Sequence, residues 1–554
     1  MTKQMDELWQ AIKQEKWKKV KRINWKAFNF SEIDGHSIVF LTASDSAGYP
    51  YISQAREMSI GDAVSEATAV LLRGLPNDFK VEHLKLEVVE QVKKEQDVEE
   101  IRLNKGVAGL AFDGEFSVAF TPQEVASYNL VNKRALVWDR VSLALRHKLG
   151  STSDFAEDSW KDLYKFTTRA FYADGVKSYP LSRGQKYRKE VVAGDVLESI
   201  QMAKNNYFQH VVKGDGEFIY SYLPSEDLEE GKYNILRHAG TVYSMLETYE
   251  LEPDEALMAS CKRAIEYLMD HMEESHLNGN AVNVLIHDDV LKLGGNGLAL
   301  VALAKYTDIT GDETYLDTMQ GMATYIKEIQ SENGDFEVHK MIYSTGEVSE
   351  FRSFYYIGEA MLGLTRLYAI DGDEQWLDVA EKTAEYLIHV QNKGATAENI
   401  LHDHWFLYGL HDLYQHRPEQ KYADYAMLMA EGIMQAQYGE DEEYAPYRGG
   451  YKPENSDVPK SVPNACRAEG LIKVYYLARA VDEDKVAERV LDSLDRSIRF
   501  QLQSQVRPEQ AMYFPNKALA TGAFYSKLKG NDLRNDYTQH NISSLIGYYR
   551  ILTE

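Results

Sequence analysis

The feature that most restricts what this chain can fold into is a helical hairpin that recurs down its C-terminal two-thirds. The clearest copy is Tyr233 to Glu250, where Leu236, Ala239, Tyr243 and Leu246 share one face at helical spacing while Glu247 and Glu250 stay on the polar side. A second amphipathic run, Pro253 to Met272, follows after a few residues and completes the pair. The unit returns as Gly294 to Thr310 with Tyr315 to Gln330, Phe354 to Ile370 with Trp376 to Gln391, His404 to Gln415 with Tyr422 to Gln437, and Cys466 to Val481 with Lys485 to Gln503. These four second helices all run to a glutamine. The period is roughly 50 to 60 residues, longer than that of the common solenoids.

Two helices stand outside the five hairpins, Asp195 to Val212 before the first and Thr538 to Leu552 after the last. Paired across the ends of the repeat region they make a sixth hairpin, and six hairpins close into a ring of twelve helices, an (α/α)6 toroid. The pattern resembles the six-hairpin glycosidase superfamily of glycoside hydrolases, polysaccharide lyases and sugar epimerases, over residues 191 to 554. The resemblance implies a carbohydrate-active enzyme, with hydrolysis of an acidic oligosaccharide or glycan precursor as the first reading. Epimerisation or elimination on the same fold, or a glycan- or peptide-binding module without turnover, is the alternative.

Residues 1 to 190 lack the repeat and mix strand and helix signals, so the whole is expected to be multidomain, an N-terminal α/β domain followed by the all-α toroid. Ser37 to Thr42 reads as a strand, Gly61 to Leu72 as a helix, Leu84 to Val92 as an alternating strand, and Lys105 to Val125 as a hairpin turning at Asp113-Gly114. This order, with its FLT strand, AVSEA helix, KLEVVEQV strand and KGVAGLAF hairpin closed by TPQEV, is similar to the AMME-region family. Where that family carries Leu-Arg-Gly-Cys-Ile-Gly, this chain has Tyr49-Pro50-Tyr51-Ile52-Ser53-Gln54, so the likeness is one of fold and carries no activity. Phe155 to Glu190 reads as a bridge between the domains, with Arg183 to Lys189 as a basic run.

Composition narrows the partners. A net charge of -25 argues against nucleic acid and anionic membranes as general partners, and an anionic substrate has to be held by local cations against that field. No segment has the apolar length of a membrane span, and the charged start MTKQMDELWQ lacks a signal-peptide core, so a cytoplasmic protein is expected. The two cysteines, Cys261 and Cys466, lie far apart within expected helices, which argues against a disulfide framework and against a cysteine metal site.

Chemistry is expected where the first helix of each pair begins. Asn234, Arg237, His238, Asn296, Glu350, Arg352, Tyr355, Glu359, Asp403, His404, Trp405, Arg467, Glu469, Asp536, Gln539 and His540 collect at those starts. Glycosidic cleavage needs two carboxyl groups, and Asp403 with Glu350 is the preferred pair, with Glu359 and Asp536 in reserve. His238 and His404 suggest instead that a proton is removed from a sugar and returned, so these four residues are the catalytic candidates. Asp403 reads equally as an N-cap, and a histidine at a helix start is more often structural. Arg237, Arg352 and Arg467 occupy comparable places in three repeats and are expected to bind a substrate anion, or else to tie hairpins together through acids such as Glu350 and Glu469. Asn296, Tyr355, Glu359, Trp405 and His540 complete the substrate-binding candidates, and Tyr447 to Gly450 is a rim-loop candidate. There is no P-loop, no Rossmann fingerprint and no HExxH; His287-Asp288-Asp289 stands without supporting spacing, so neither cofactor nor metal is expected.

Overall fold

The computed structural model describes residues 2–25, 29–95, 100–104, 106–149, 162–186, 188, 190–453, 458–528 and 530–554. It falls into two compact units. The first comprises Met1–Lys189 and also takes in Leu223–Leu228 and Val506–Thr521, while the second comprises Glu190–Tyr222, Glu229–Gln505 and Gly522–Glu554. Of the expected bridge, residues 155–161 lie outside the described residues, as do residues 187 and 189 of the basic run.

The first unit is built on an eight-stranded sheet running Gln185–Lys186, Ser178–Ser182, Tyr164–Ala173, His83–Lys94, Ser37–Ser44, Tyr51–Glu57, with Ala108–Ala111 and Ala119–Phe120 paired off its middle. Its pairings are antiparallel. Ser59 caps the helix Ile60–Gly74 by accepting from Asp62 N, and that helix lays Ala63, Val64, Ala67 and Leu71 onto the sheet with Leu41, Leu84 and Leu86. His83–Lys94 is central, so it is buried on both faces from Leu84 to Val89 rather than alternating. That burial takes in Lys85, which lies 3.5 Å from Glu87 and 5.3 Å over the Tyr513 ring, a residue of the 506–521 segment. The hairpin expected at Asp113-Gly114 is present but wider than a two-residue turn. Phe112 N donates to Val118 O, Phe116 takes φ +62°, and the Asp113 carboxylate accepts from Ser117 N at 2.9 Å. Met512 to Pro515 is also part of this unit, following the short helix Pro508–Ala511.

The second unit is the expected (α/α)6 toroid. Six inner helices, Ile235–Leu251, Leu293–Thr310, Phe354–Asp371, His404–His416, Ser461–Ala480 and Asn535–Thr553, pack each against the next and the last against the first. Outer helices Glu255–Met269, Leu316–Glu328, Glu374–Tyr386, Gln420–Gln435 and Asp484–Leu502 follow the first five, and Ala193–Met202 packs on Asn535–Thr553 to supply the sixth pair. The expected helix of residues 195 to 212 changes pitch at a π turn, Ala203–Tyr207. Inner helices are covered all round, which is why Leu293–Thr310 reads as apolar on every face and is buried from Leu293 to Thr307. Glycine lets the inner helices approach closely: a Cβ on Gly297 would meet the Glu359 carbonyl carbon at 2.6 Å, and one on Gly358 would meet Phe406 N at 2.6 Å.

A recurring clasp joins the outer layer. After three outer helices the chain forms a short bridge, Val212 with Phe218, Gln330 with Phe336 and Gln437 with Tyr451; a fourth, Gln505 with Phe524, follows the last. Each encloses a glycine at positive φ, Gly216 (+88°), Gly334 (+94°), Gly449 (+82°) and Gly522 (+87°), lying on the backbone of another outer segment at Arg263, Lys382, Arg496 and Ala203 respectively. Two of the glutamines recognised in the repeat, Gln330 and Gln437, serve the same junctions. Gln330 Nε2 donates to Val379 O at 3.0 Å and Gln437 Nε2 to Ser493 O at 3.0 Å, while Gln505, two residues beyond Gln503, donates to Ser199 O at 2.9 Å. The Ala203 and Ser199 contacts join the segment after the fifth hairpin to the outer helix of the sixth pair.

Candidate functional site

The starts of the fourth, fifth and sixth inner helices bring four reactive side chains together. Asp403 is the N-cap of His404–His416, its Oδ1 accepting from Trp405 N at 3.0 Å and Phe406 N at 3.2 Å, and this cap fixes the first turn that carries His404. Cys466 and Glu469 lie one turn apart on Ser461–Ala480, and His540 projects from Asn535–Thr553. One ligand atom from each of His404, Cys466, Glu469 and His540 lies within 4.8 Å of all the others.

The core of this cluster is a buried pair: His540 Nδ1 meets Glu469 Oε2 at 2.8 Å. Burial opposes the charge on His540, but Cys466 and Glu469 outweigh it and hold the imidazole protonated well above its ordinary range. Burial lifts the Glu469 carboxyl to about 7, with His540 pulling it down. His404 is the opposite case. Its Nε2 is 3.9 Å from Glu469 Oε2, neither ring nitrogen has a hydrogen-bond partner, and burial followed by His540 and Arg467 pushes it well below the ordinary histidine range. The two imidazoles meet edge to face at 5.2 Å, with Trp405 4.6 Å and Tyr355 5.7 Å from His404. Four such donors are spaced closely enough to ligate one cation, although the sequence offers no metal motif. The hydrogen bond between His540 and Glu469 gives the cluster a use that needs none.

A second centre lies beside it on the third inner helix. Glu359 is buried, its Oε2 has no partner, and burial followed by the neighbouring Asp403 keeps its carboxyl protonated far above the usual range. Gly294 makes room for it, since a Cβ there would overlap Glu359 Oε2 and come within 2.8 Å of the Tyr356 ring. Asp403 itself is pushed up to about 8 by burial, against the pull of its two backbone hydrogen bonds.

Other expected site residues are placed differently. His238 is wholly buried with both nitrogens engaged, Nδ1 by Tyr233 Oη at 2.5 Å and Nε2 by Ala264 O at 2.7 Å, so it ties its helix to the neighbouring outer helix rather than facing a substrate. Burial lowers it to about 3. Asn296 is likewise spent on structure, accepting from Leu285 N at 2.9 Å and donating to Lys292 O at 3.0 Å. Glu350 is exposed, unlike the buried Asp403 with which it was paired in expectation. The three arginines do not share a partner: Arg237 Nε pairs with Asp536 at 3.0 Å, Arg352 with Asp335 at 2.6 Å, and Arg467 Nε donates to His402 Nδ1 at 2.9 Å. None pairs with Glu350 or Glu469 among the described residues. Cys466 was not among the sequence candidates, because its only local signal is the one-turn spacing to Glu469.

A family model described as β-L-arabinofuranosidase, GH127 catalytic domain, matches residues 286–499. No curated protein matches the chain. Among solved structures the chain is similar to a D-mannose isomerase at 12% identity and TM-score 0.50, covering 66% of this chain and 99% of that one. It is also similar to a cellobiose 2-epimerase from Bacillus thermoamylovorans at 12% identity and TM-score 0.48, covering 65% and 99%. A GH76A α-1,6-mannanase from a Salegentibacter species matches at 16% identity and TM-score 0.45, covering 65% and 99%. No helix among the described residues is long and apolar enough to cross a membrane.

Proposed function

We propose that this chain, whose second unit has the six-hairpin toroid fold, is a carbohydrate-active enzyme that moves protons on a sugar held at the starts of its inner helices. The observation that carries the reading is the split between two facing imidazoles, His404 kept neutral and His540 kept protonated 5.2 Å away. Titratable neighbours pushed in opposite directions are a base and an acid ready for use at the same pH. In this reading His404 takes the proton from the carbon next to an open-chain sugar carbonyl, and His540 gives its proton to the carbonyl oxygen, forming an enediol. Return of the protons gives the isomer or the epimer, with no outside oxidant or reductant. Glu469 holds His540 in place and restores its charge. The exposed Phe351, just before the third inner helix, and Phe354, which opens it, offer faces for a sugar ring to stack on, with the exposed Leu401 just before the fourth.

Hydrolysis is the second reading, favoured by Glu359, whose unpartnered and protonated carboxyl suits a general acid, and by the arabinofuranosidase match over residues 286–499. The acidic character expected of the substrate belongs to the proposal in either case. The test incubates the full chain with aldoses and uronates in deuterium oxide, and separately with oligosaccharides. Solvent deuterium at the carbon next to the carbonyl supports proton transfer, and new reducing ends support hydrolysis. Saturable binding with every sugar recovered unchanged would overturn both and leave a binding module.

A further inference from the structure

Of the three arginines expected to hold a substrate anion, two are neutralised, Arg237 by Asp536 at 3.0 Å and Arg352 by Asp335 at 2.6 Å. Arg467 has no carboxylate within ion-pair distance among the described residues, and its partners are neutral. Nε donates to His402 Nδ1 at 2.9 Å, Nη1 donates to Pro463 O at 3.2 Å, and the guanidinium lies 5.2 Å over the Tyr451 ring. Burial followed by Arg467 lowers His402 to about 4, so that imidazole accepts without carrying charge. A guanidinium offers a planar fork of donors, and the Nη2 end of this one donates to none of the described residues. In a chain of net charge -25, a cation that is left unpaired and held in place by neutral groups keeps its charge for a ligand.

The packing sets this guanidinium beside the reactive cluster. Arg467 and Gly470 lie one turn apart on the fifth inner helix, and a Cβ on Gly470 would come within 3.4 Å of His404 Cβ on the fourth. Arg467 therefore sits on the His404 side of its helix, one turn nearer the helix start. It follows Cys466 directly, and both are half-exposed, whereas Glu469 and His404 are buried, so the open side of the cluster carries the cation. Its charge reaches His404, where it adds to burial and to His540 in keeping the ring neutral, and it reaches Tyr355, whose ring is 5.7 Å from His404. The second observation is His404 itself, buried with both ring nitrogens unpartnered. An unengaged imidazole and the unengaged end of a guanidinium thus stand at the starts of adjacent inner helices.

We propose that Arg467 is the anion-recognition residue of the cluster, the free Nη2 end of its guanidinium binding an oxyanion group, a carboxylate or a phosphate, on the sugar whose reacting carbons lie at His404. The identity of the ligand as a sugar rests on the proposed function, but the subsite is tested by binding, apart from turnover. His402 and Tyr451 orient the fork before the ligand arrives, which spares the ordering that a loose arginine would undergo on binding.

The experiment measures calorimetric affinity of the full chain for D-glucuronate, glucose 6-phosphate and D-glucose, with Arg467→Gln and Arg467→Lys beside the wild type. One of the anionic sugars is expected to bind the wild type at least about tenfold tighter than glucose. Arg467→Gln should lose about ten- to a hundredfold for that anion while glucose is unaffected, and Arg467→Lys, which keeps the charge but not the fork, should recover part of the loss. The preferred anion tells carboxylate from phosphate. An arginine that only ties hairpins together would give a different result, with both variants melting earlier and losing glucose and anion alike. That result, equal affinities of the wild type for the three sugars, or no sugar bound at all would overturn the subsite. Anion-selective binding without conversion of any sugar would leave the subsite standing and remove the proposed reaction. Conversion of neutral and anionic sugars with equal efficiency by the wild type and Arg467→Gln would remove the subsite alone.

Discussion

Replacing Gly334 by alanine tests whether the outer clasps carry stability through close approach or through backbone conformation alone. At φ +94° an alanine is strained by about 1–2 kcal/mol, and its Cβ would overlap the Lys382 carbonyl oxygen and lie 2.9 Å from the carbonyl carbon. Those atoms belong to the outer helix Glu374–Tyr386 and cannot swing away as a side chain would, so overpacking adds about 1–3 kcal/mol. Gly311 supplies the control, since it has φ +70° with nothing within 4 Å of the added Cβ and should show the conformational cost only. Each kcal/mol shifts the midpoint of a unit this large by about 2 °C, so Gly334→Ala should melt about 2–6 °C below Gly311→Ala. Differential scanning calorimetry of the two variants reads this directly. Equal midpoints would refute the clasp as a packing device.

Three further outcomes are expected. Glu469→Gln removes the acceptor that helps raise His540, so the alkaline limit of turnover should move to lower pH and stability should fall by about 1.5–3 kcal/mol; an unmoved limit in the pH–rate profile argues against His540 as the acid. Asp403 is raised from 3.8 to about 8, so its contribution to stability is complete below pH 3.8 and is lost as the pH climbs through about 8. Asp403→Asn keeps a capping oxygen and should flatten that decline in melting temperature, and an unchanged slope would place the Asp403 shift in doubt. Dialysis of the full chain against a chelator should leave turnover intact, whereas loss of turnover restored by zinc would make His404, Cys466, Glu469 and His540 metal ligands and remove the acid–base assignment.

The toroid is legible in the sequence because helix pairs advertise themselves locally. Ala239, Tyr243 and Leu246 are buried as the periodicity predicts, although Leu236 is only half-buried and Glu247, expected on the polar side, is buried too, and the glutamines mark the ends of four outer helices. The expectation that helix starts gather polar residues also names His404, His540, Glu359 and Asp403, which lie buried near one another at or near the starts of neighbouring inner helices. It does not tell which polar residues are already engaged. His238 and Asn296 sit at equivalent helix starts, yet their hydrogen bonds go to Ala264 O and Leu285 N, partners set by an outer helix and a strand that the periodicity does not register. Cys466 and His540 are separated by a whole repeat and share a centre only once the ring closes. Local runs miscarry for a related reason at Asp113-Gly114, where the Asp113 carboxylate captures Ser117 N and opens the turn.

The helix that completes the ring has a temporal consequence. Asn535–Thr553 is the last inner helix along the chain, and it alone contributes His540, while its outer partner Ala193–Met202 is the first helix of the toroid. During synthesis the first five inner helices therefore emerge before the wall that joins the fifth to the first exists, and Ala193–Met202 must wait for a partner made some 330 residues later. Until then Glu469 lacks the imidazole that it meets in the closed ring. On the proposed reading, in which His540 supplies the acid, turnover therefore waits for the last hairpin to close.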